Sequence, residues 1–261
     1  MNKLIACVAV FFAFIAGSAV AKNDYSCDKK FIFFPGGPEG GPFGTIVYNG
    51  AVAAAEHTGC DVDYYWSQWN SEIMIKQFKE AVALQPDGIA IYGFPGDAAM
   101  RPIINEAREM GIVITTMNTP LPDLEAELKT TGFGYAGADL FAAGFNLGKK
   151  GVEVCGLEAG DKAFVWGLAS MPNRGERTKG AIAGVESMGV EVVYQEIPDN
   201  VNSDASQGTP MYVATYSANP DIKMAITDHG GLTASLPTYM KAAGHGNEAV
   251  CGAGFDLSAP I

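Results

Sequence analysis

The sequence predicts an α/β protein made of two doubly wound parallel-sheet domains. Three observations carry this. Short runs rich in Ile, Val, Phe and Tyr alternate with segments whose apolar residues recur three and four apart, the periods of strand and helix. The alternation comes in two blocks, joined through the glycine-rich stretch TTGFGYAGADLFAAG at 130–144. Strand, helix, strand in repetition means βαβ units, and these build a parallel sheet with helices on both faces.

Residues 1–21, MNKLIACVAVFFAFIAGSAVA, stand apart from this rhythm. One lysine precedes an apolar stretch that ends in Ala19-Val20-Ala21, the pattern of a secretory signal peptide cleaved after Ala21. The stretch is short for a bilayer span, which needs about 20 residues. Cys7, in LIAC, lies at the start of the apolar region rather than after it, which argues against lipidation there. Removal of this segment leaves about 240 residues, enough for one large or two small cores. No later run is long enough to span a membrane, so an exported, soluble, periplasmic protein is expected. Acidic residues outnumber basic ones by 29 to 17, a net charge of −12. That balance repels nucleic acid and anionic membranes.

In the first block, FIFF (31–34) reads as a strand and GTIVYNGAVAAAEHTG (44–59) as its helix. DVDYYWSQ (61–68) and SEIMIKQFKEAVAL (71–84) form the next pair, then GIAIYG (88–93) with DAAMRPIINEAREMG (97–111), then the strand IVITTMN (112–118). The second block has strands at AFVWGLA (163–169), EVVYQEIP (191–198), IKMAITD (222–228) and AVCGAGFD (249–256). Helices are expected at 174–188, 205–218 and 231–243. The domains are placed at 28–135 and 138–261, with a connection near Gly134 to Gly137.

Four cysteines follow the signal peptide, and export permits disulfides. Cys27 precedes the first strand and Cys60 the second. If those strands are parallel neighbours, both cysteines sit at one end of the sheet, and a Cys27–Cys60 bridge is expected. Cys155 and Cys251 are expected as free buried thiols. There is no CxxC pair, and His57, His229 and His245 lack zinc-ligand spacing, so no metal or cofactor is expected.

The loop after the first strand, PGGPEGGPFG (35–44), invites comparison with phosphate-binding loops. Its glycines never give G-x-G-x-x-G, and no Gly-Lys-Ser/Thr closes it. Pro35, Pro38 and Pro42 stiffen it and remove amide donors that a phosphate would need. Enzyme signatures such as G-x-S-x-G and HExxH are absent from the sequence.

Ligands of doubly wound sheets bind at the carboxyl ends of the strands. There the chain places Asn118, Asp228, His229 and Asp256, with Asp139 after the crossover and Arg177 at a helix start. Each alone could be a cap or turn residue. Together these planar polar groups suit vicinal hydroxyls, because carboxylates accept, guanidinium donates as a fork and amides do both. Phe43, Trp66, Tyr92 and Trp166 are aromatic candidates for the apolar face of a sugar ring, with core packing the better account of Trp166.

FIFFPGGPEGGPFGTIVYNGAVAAA, LQPDGIAIYG, NRGERTKGAIAG and AVCGAGFDLSAP, with the signal peptide, give the chain from about Lys30 onward a family likeness. It resembles the periplasmic sugar-binding proteins of ABC importers, in the ribose-binding-like, type I group related to the ligand domain of lactose-repressor-type regulators. The resemblance implies Phe43, Asn118, Arg177, His229 and Asp256 as sugar contacts, and less directly Tyr92 and Asp139. Gly44, Met117-Asn118 and His229 depart from the ribose-binding pattern, which points to another sugar or a polyol. The resemblance also implies a C-terminal return to the first domain, so a truncated chain is expected. The implied function is a monomer that captures a sugar between two domains and delivers it to an importer permease. A sugar sensor or chemoreceptor module and an exported sugar-processing enzyme are the alternatives; a repressor ligand domain is opposed by the signal peptide.

Overall fold

Alternation of strand and helix runs through the whole computed structural model, which describes residues 27–245 and 250–256. The predicted signal peptide, residues 1–21, lies outside the described residues. The first block contains β1 (Lys30–Phe33), α1 (Pro42–Thr58), β2 (Asp61–Tyr64), α2 (Ser71–Ala83), β3 (Gly88–Ile91), α3 (Asp97–Glu109), β4 (Val113–Met117), α4 (Pro122–Leu128) and β5 (Gly134–Ala136). The second contains α5 (Leu140–Cys155), β6 (Lys162–Gly167), α6 (Glu176–Glu186), β7 (Glu191–Glu196), α7 (Asp199–Ser203), α8 (Thr209–Ala218), β8 (Ile222–Thr227), α9 (Gly230–Ala242) and β9 (Cys251–Gly254). No helix among the described residues is long and apolar enough to cross a membrane.

Local chemistry sets several of these ends. Pro42, with its fixed φ and no amide to satisfy, opens α1, which stops at left-handed Gly59. Asn70 caps α2 by accepting from the Ile73 amide at 3.0 Å.

Every strand pairing is parallel, in the orders β2-β1-β3-β4-β5 and β7-β6-β8-β9. The order reverses between β1 and β3 in one sheet and between β6 and β8 in the other. Loops leaving these strands diverge to opposite faces, and a crevice opens between them. In the second sheet Phe164 and Trp166 point into one buried cluster while Ala163 and Val165 point into the other, the two-residue period of a strand covered on both faces.

Three features differ from the sequence expectation. The stretch expected as a connection, Gly134 to Gly137, supplies β5, whose register against β4 pairs Thr115 with Gly134 and Met117 with Ala136. The glycine-rich segment that follows is the 16-residue helix α5. Cys155 and Cys251 are joined in a disulfide rather than free. Cys155 is the last residue of α5 and Cys251 the first of β9, and α5 packs across β8 and β9, so their Cα atoms come within 5.7 Å. The expected Cys27–Cys60 bridge is present, closing the neighbouring starts of β1 and β2.

Helix α5 holds tightly to α6 because glycines face backbone across the contact. A Cβ on Gly144 would lie 2.0 Å from the Arg177 carbonyl oxygen, and one on Gly148 2.3 Å from that of Ala181. Reciprocally, Gly180 and Gly184 press on the Phe141 and Phe145 carbonyls, at 2.1 and 2.2 Å. The start of α6, which carries Arg177, is seated by this contact.

Candidate functional site

Loops from the carboxyl ends of both sheets enclose one cavity of about 500 Å³, open solvent at its mouth included. Its wall on the side of the second sheet is built around Asp228, which ends β8 and is buried. Arg174 donates to both carboxylate oxygens and, at 3.2 Å, to the Asp228 carbonyl. The Thr178 hydroxyl donates to Oδ1 at 3.0 Å, and Arg177 donates to the same carbonyl. Burial alone would raise the Asp228 carboxyl, but Arg174 and then Arg177 outweigh it and hold the group below its ordinary value.

Arg177 also reaches Asp256, with Nη1 3.8 Å from Oδ1, and its guanidinium lies 4.1 Å from the centre of the Phe255 ring. Burial first, then the charge of Arg174, lowers the Arg177 value to about 10, against the pull of Asp228 and Asp256. Two guanidiniums thus face two carboxylates, and the wall carries no net charge. Asp256 Oδ2 accepts from the Gly230 amide at 2.9 Å, which leaves Oδ1 toward Arg177.

His229 caps α9, its Nδ1 accepting from the Leu232 amide at 3.4 Å. That bond assigns the ring proton to Nε2, which is buried and has no partner. Burial above all, with the charges of Arg174 and Arg177, drives the ring down to about 4 despite Asp228, so His229 is a neutral donor at pH 7.

On the other side the wall is aromatic. Trp69 lies flat on Gly36 and Gly37; a Cβ on Gly36 would meet its ring at 2.4 Å, and Gly36 has φ of 96°. The glycines of the PGGP loop thus make room for an indole. Trp69 neighbours Phe43, Tyr92 and Phe94 at ring separations of 5.9, 5.6 and 6.3 Å. Asn118, with φ of 57°, turns away from β4 with its backbone held by the Ala136 carbonyl and the Tyr135 hydroxyl, each at 3.0 Å. Beside it the Thr119 hydroxyl is buried without a partner.

Of the residues singled out in the sequence, Phe43, Tyr92, Asn118, Arg177, His229 and Asp256 line this cavity. Tyr92 contributes its ring, since its hydroxyl donates to the Pro35 carbonyl at 3.1 Å. Asp139 is not among the lining residues. It caps α5, accepting from the Ala142 amide at 2.9 Å, and is exposed, so the sequence assignment is corrected to a helix cap. Trp166 is fully buried in the core, and Trp66 packs on Tyr48, 5.6 Å between ring centres. Sequence reasoning did not single out Trp69, Phe94, Arg174 or Asn202, which also line the cavity. Among the described residues no cluster of His, Cys, Asp and Glu could hold a metal ion.

The two lobes meet around the site. The Asn173 amide donates to Asp97 Oδ2 at 3.0 Å, and Gly96 packs against Pro172.

An α/β molecule with paired parallel sheets and a cleft at both switch points defines a class of two-lobed ligand-binding proteins. The chain belongs to the periplasmic binding protein domain family, which matches residues 31–261. No curated protein sequence matches it. Among solved structures it is similar to GanP, a glucose-galactose binding protein from Geobacillus stearothermophilus, with 22% identity, 89% of this chain and 79% of that chain covered, and a TM-score of 0.73. It is similar to an ABC transporter solute-binding protein from Burkholderia graminis in complex with D-arabinose, with 19% identity, coverage of 91% and 78%, and a TM-score of 0.75. An Agrobacterium vitis solute-binding protein bound with α-D-tagatopyranose has 20% identity, coverage of 88% and 77%, and a TM-score of 0.74.

Proposed function

We propose that this protein is a periplasmic solute-binding protein that captures a sugar or polyol between two domains, residues 28–135 and 138–261, and delivers it to an ABC-type importer. One observation carries the reading: polar side chains from both sheets line one charge-balanced cavity with an aromatic wall. Asp256 Oδ1 is placed to accept; Arg177 and His229 Nε2–H are placed to donate; Asn118 does both. Equal numbers of guanidiniums and carboxylates favour a neutral, hydroxyl-rich guest over an anion. The sugar-binding relatives support the same class of ligand.

On this reading the ligand acts by differential contact. Only the closed form brings Asn118 of one lobe and Asp256 of the other to the same molecule, so binding shifts the population toward closure. The linker after β5 is the natural place for the hinge, and the closed face is what a permease would recognise. The protein acts as a monomer and binds without chemical turnover.

The test is a thermal-shift screen over pentoses, hexoses, deoxysugars and polyols. A ligand at a hundred times its dissociation constant stabilises by about 2.7 kcal/mol. Asp256→Asn and Asn118→Gly are the informative variants, because both replacements tolerate the left-handed backbone found there. Each should keep the apo melting temperature within a few degrees and weaken binding about tenfold or more. Full ligand shifts in both variants would place the site elsewhere.

A further inference from the structure

The inner cavity does not end where the lobes meet. A second cavity of about 890 Å³, open solvent included, adjoins it and shares Phe43, Trp69, Asn202 and His229 with it. It runs outward between the start of α1 and one face of α9. On the α1 side stand Pro38, Pro42 and Phe43. On the α9 side Gly231, Ala234 and Ser235 occupy positions i, i+3 and i+4, a single face of the helix. Every α9 residue here is small, so nothing bulky fills the gap as α1 and α9 approach. The lobes are already drawn together: Asn173 bonds Asp97, and Ser203 Oγ lies 3.5 Å from the Gln68 carbonyl.

The polar groups of this outer wall are largely spent on the protein itself. Ser235 Oγ donates to the Gly231 carbonyl at 2.9 Å. The Asp204 carboxylate accepts from Ser206 N at 3.0 Å, Ser206 Oγ at 2.7 Å and Gln207 Nε2 at 3.2 Å. What faces the channel is mainly proline rings, Phe43 and the Trp69 indole against alanine and glycine. Such a slot suits a flat C–H surface with little demand for hydrogen bonds.

At the junction of the two cavities sits His229, and its tautomer is fixed as a donor. A glycosidic oxygen has lost its hydrogen and can only accept. From this match we propose that the channel is a second subsite and that the ligand is a disaccharide or another sugar glycoside. Its first ring occupies the inner cavity, its bridging oxygen accepts from His229 Nε2–H, and its second ring lies between Pro38, Pro42 and Phe43 and the small face of α9. The inference rests on the sugar reading of the inner cavity.

The test compares matched ligands by titration calorimetry: glucose with maltose, cellobiose and trehalose, galactose with lactose and melibiose, and xylose with xylobiose. At least one disaccharide should bind tenfold or more tightly than its parent monosaccharide. Ala234→Trp fills the channel from α9 and should remove that difference while leaving monosaccharide affinity within twofold. Ala205, between α7 and α8, also lines the channel, so Ala205→Tyr fills it from a different segment and serves if the first variant unfolds. Monosaccharide binding with every disaccharide equal or weaker overturns the second subsite and leaves the sugar reading standing. A disaccharide preference that survives both filled variants also overturns it. Failure of every sugar, large and small, overturns the reading of the inner cavity and this inference with it.

Discussion

Gly144→Ala tests whether backbone contact between α5 and α6 seats the binding arginine. The added methyl would start 2.0 Å from the Arg177 carbonyl oxygen and 2.8 Å from the Ala181 amide nitrogen. Carbon and carbonyl oxygen approach to about 3.3 Å at closest, so the helices must part by roughly 1.3 Å. Backbone atoms cannot rotate aside as a side chain could. Overpacking of this kind costs about 1–3 kcal/mol, and alanine's better helix propensity returns at most about 1. A net loss of about 1–2 kcal/mol corresponds to about 2–8 °C in melting temperature for a chain of this size. Arg177 rides on the displaced segment, so ligand affinity should fall as well, by about tenfold. The control is Gly50→Ala in α1, where an added Cβ meets nothing within 4 Å; it should be neutral or stabilising by up to about 1 kcal/mol. Differential scanning calorimetry with ligand titration on both variants decides it. A Gly144→Ala protein that melts and binds like the parent would refute the seating argument.

Two further outcomes follow from the same structure. His229 falls from an ordinary value of 6.5 to about 4 on folding, so the unfolded chain takes up its proton first as pH drops. Its contribution is complete above pH 6.5 and is lost between pH 6.5 and 4, roughly 3 kcal/mol in all; His229→Asn should flatten urea-derived stability across that window, and an unchanged slope would sink the assignment. The Cys155–Cys251 bridge spans a sequence separation of 96 residues and the Cys27–Cys60 bridge one of 33. In the loop-entropy account the Cys155→Ser/Cys251→Ser pair should therefore cost about 1 kcal/mol more than Cys27→Ser/Cys60→Ser, each within about 2–5 kcal/mol by denaturant melts.

The regular part of the fold was legible because its strands and helices keep their periods. Segments that broke period were not. Helix α5 carries Gly144, Gly148 and Gly151, and each glycine weakens a helix by about 1 kcal/mol against alanine, so its start reads as part of the join at 130–144 and the rest is given no element. Its compensation is contact with the backbone of α6, a non-local fact. The Cys155–Cys251 bridge was missed for the same reason: without α5 there was no helix end to set beside β9. Strand β5 has only three residues, two of them small, too few for a period to show.

The site was legible where polar residues end strands, and less so where the structure depends on neighbours. Asn118 and Asp256 both take positive φ, which turns the chain sharply out of the sheet at the cleft. Asp139 shows the limit of that signal, since a strand-end carboxylate and a helix cap look alike until the helix is known. Arg174 lay in the motif that yielded Arg177, three residues earlier, but its role depends on Asp228 being buried between them. Trp69 was closer to reach. The parallel pairing of β1 with β2, on which the expected Cys27–Cys60 bridge is conditional, also sets the loops after those strands side by side. A loop with Gly36 and Gly37 beside one holding a tryptophan is a fit between a flat ring and bare backbone. The two glycine-dense segments thus have one cause: in each, side chains are omitted so that something else can touch the main chain, an indole in the first lobe and a helix in the second. Both contacts end at the cavity, Trp69 as its wall and Arg177 as its donor.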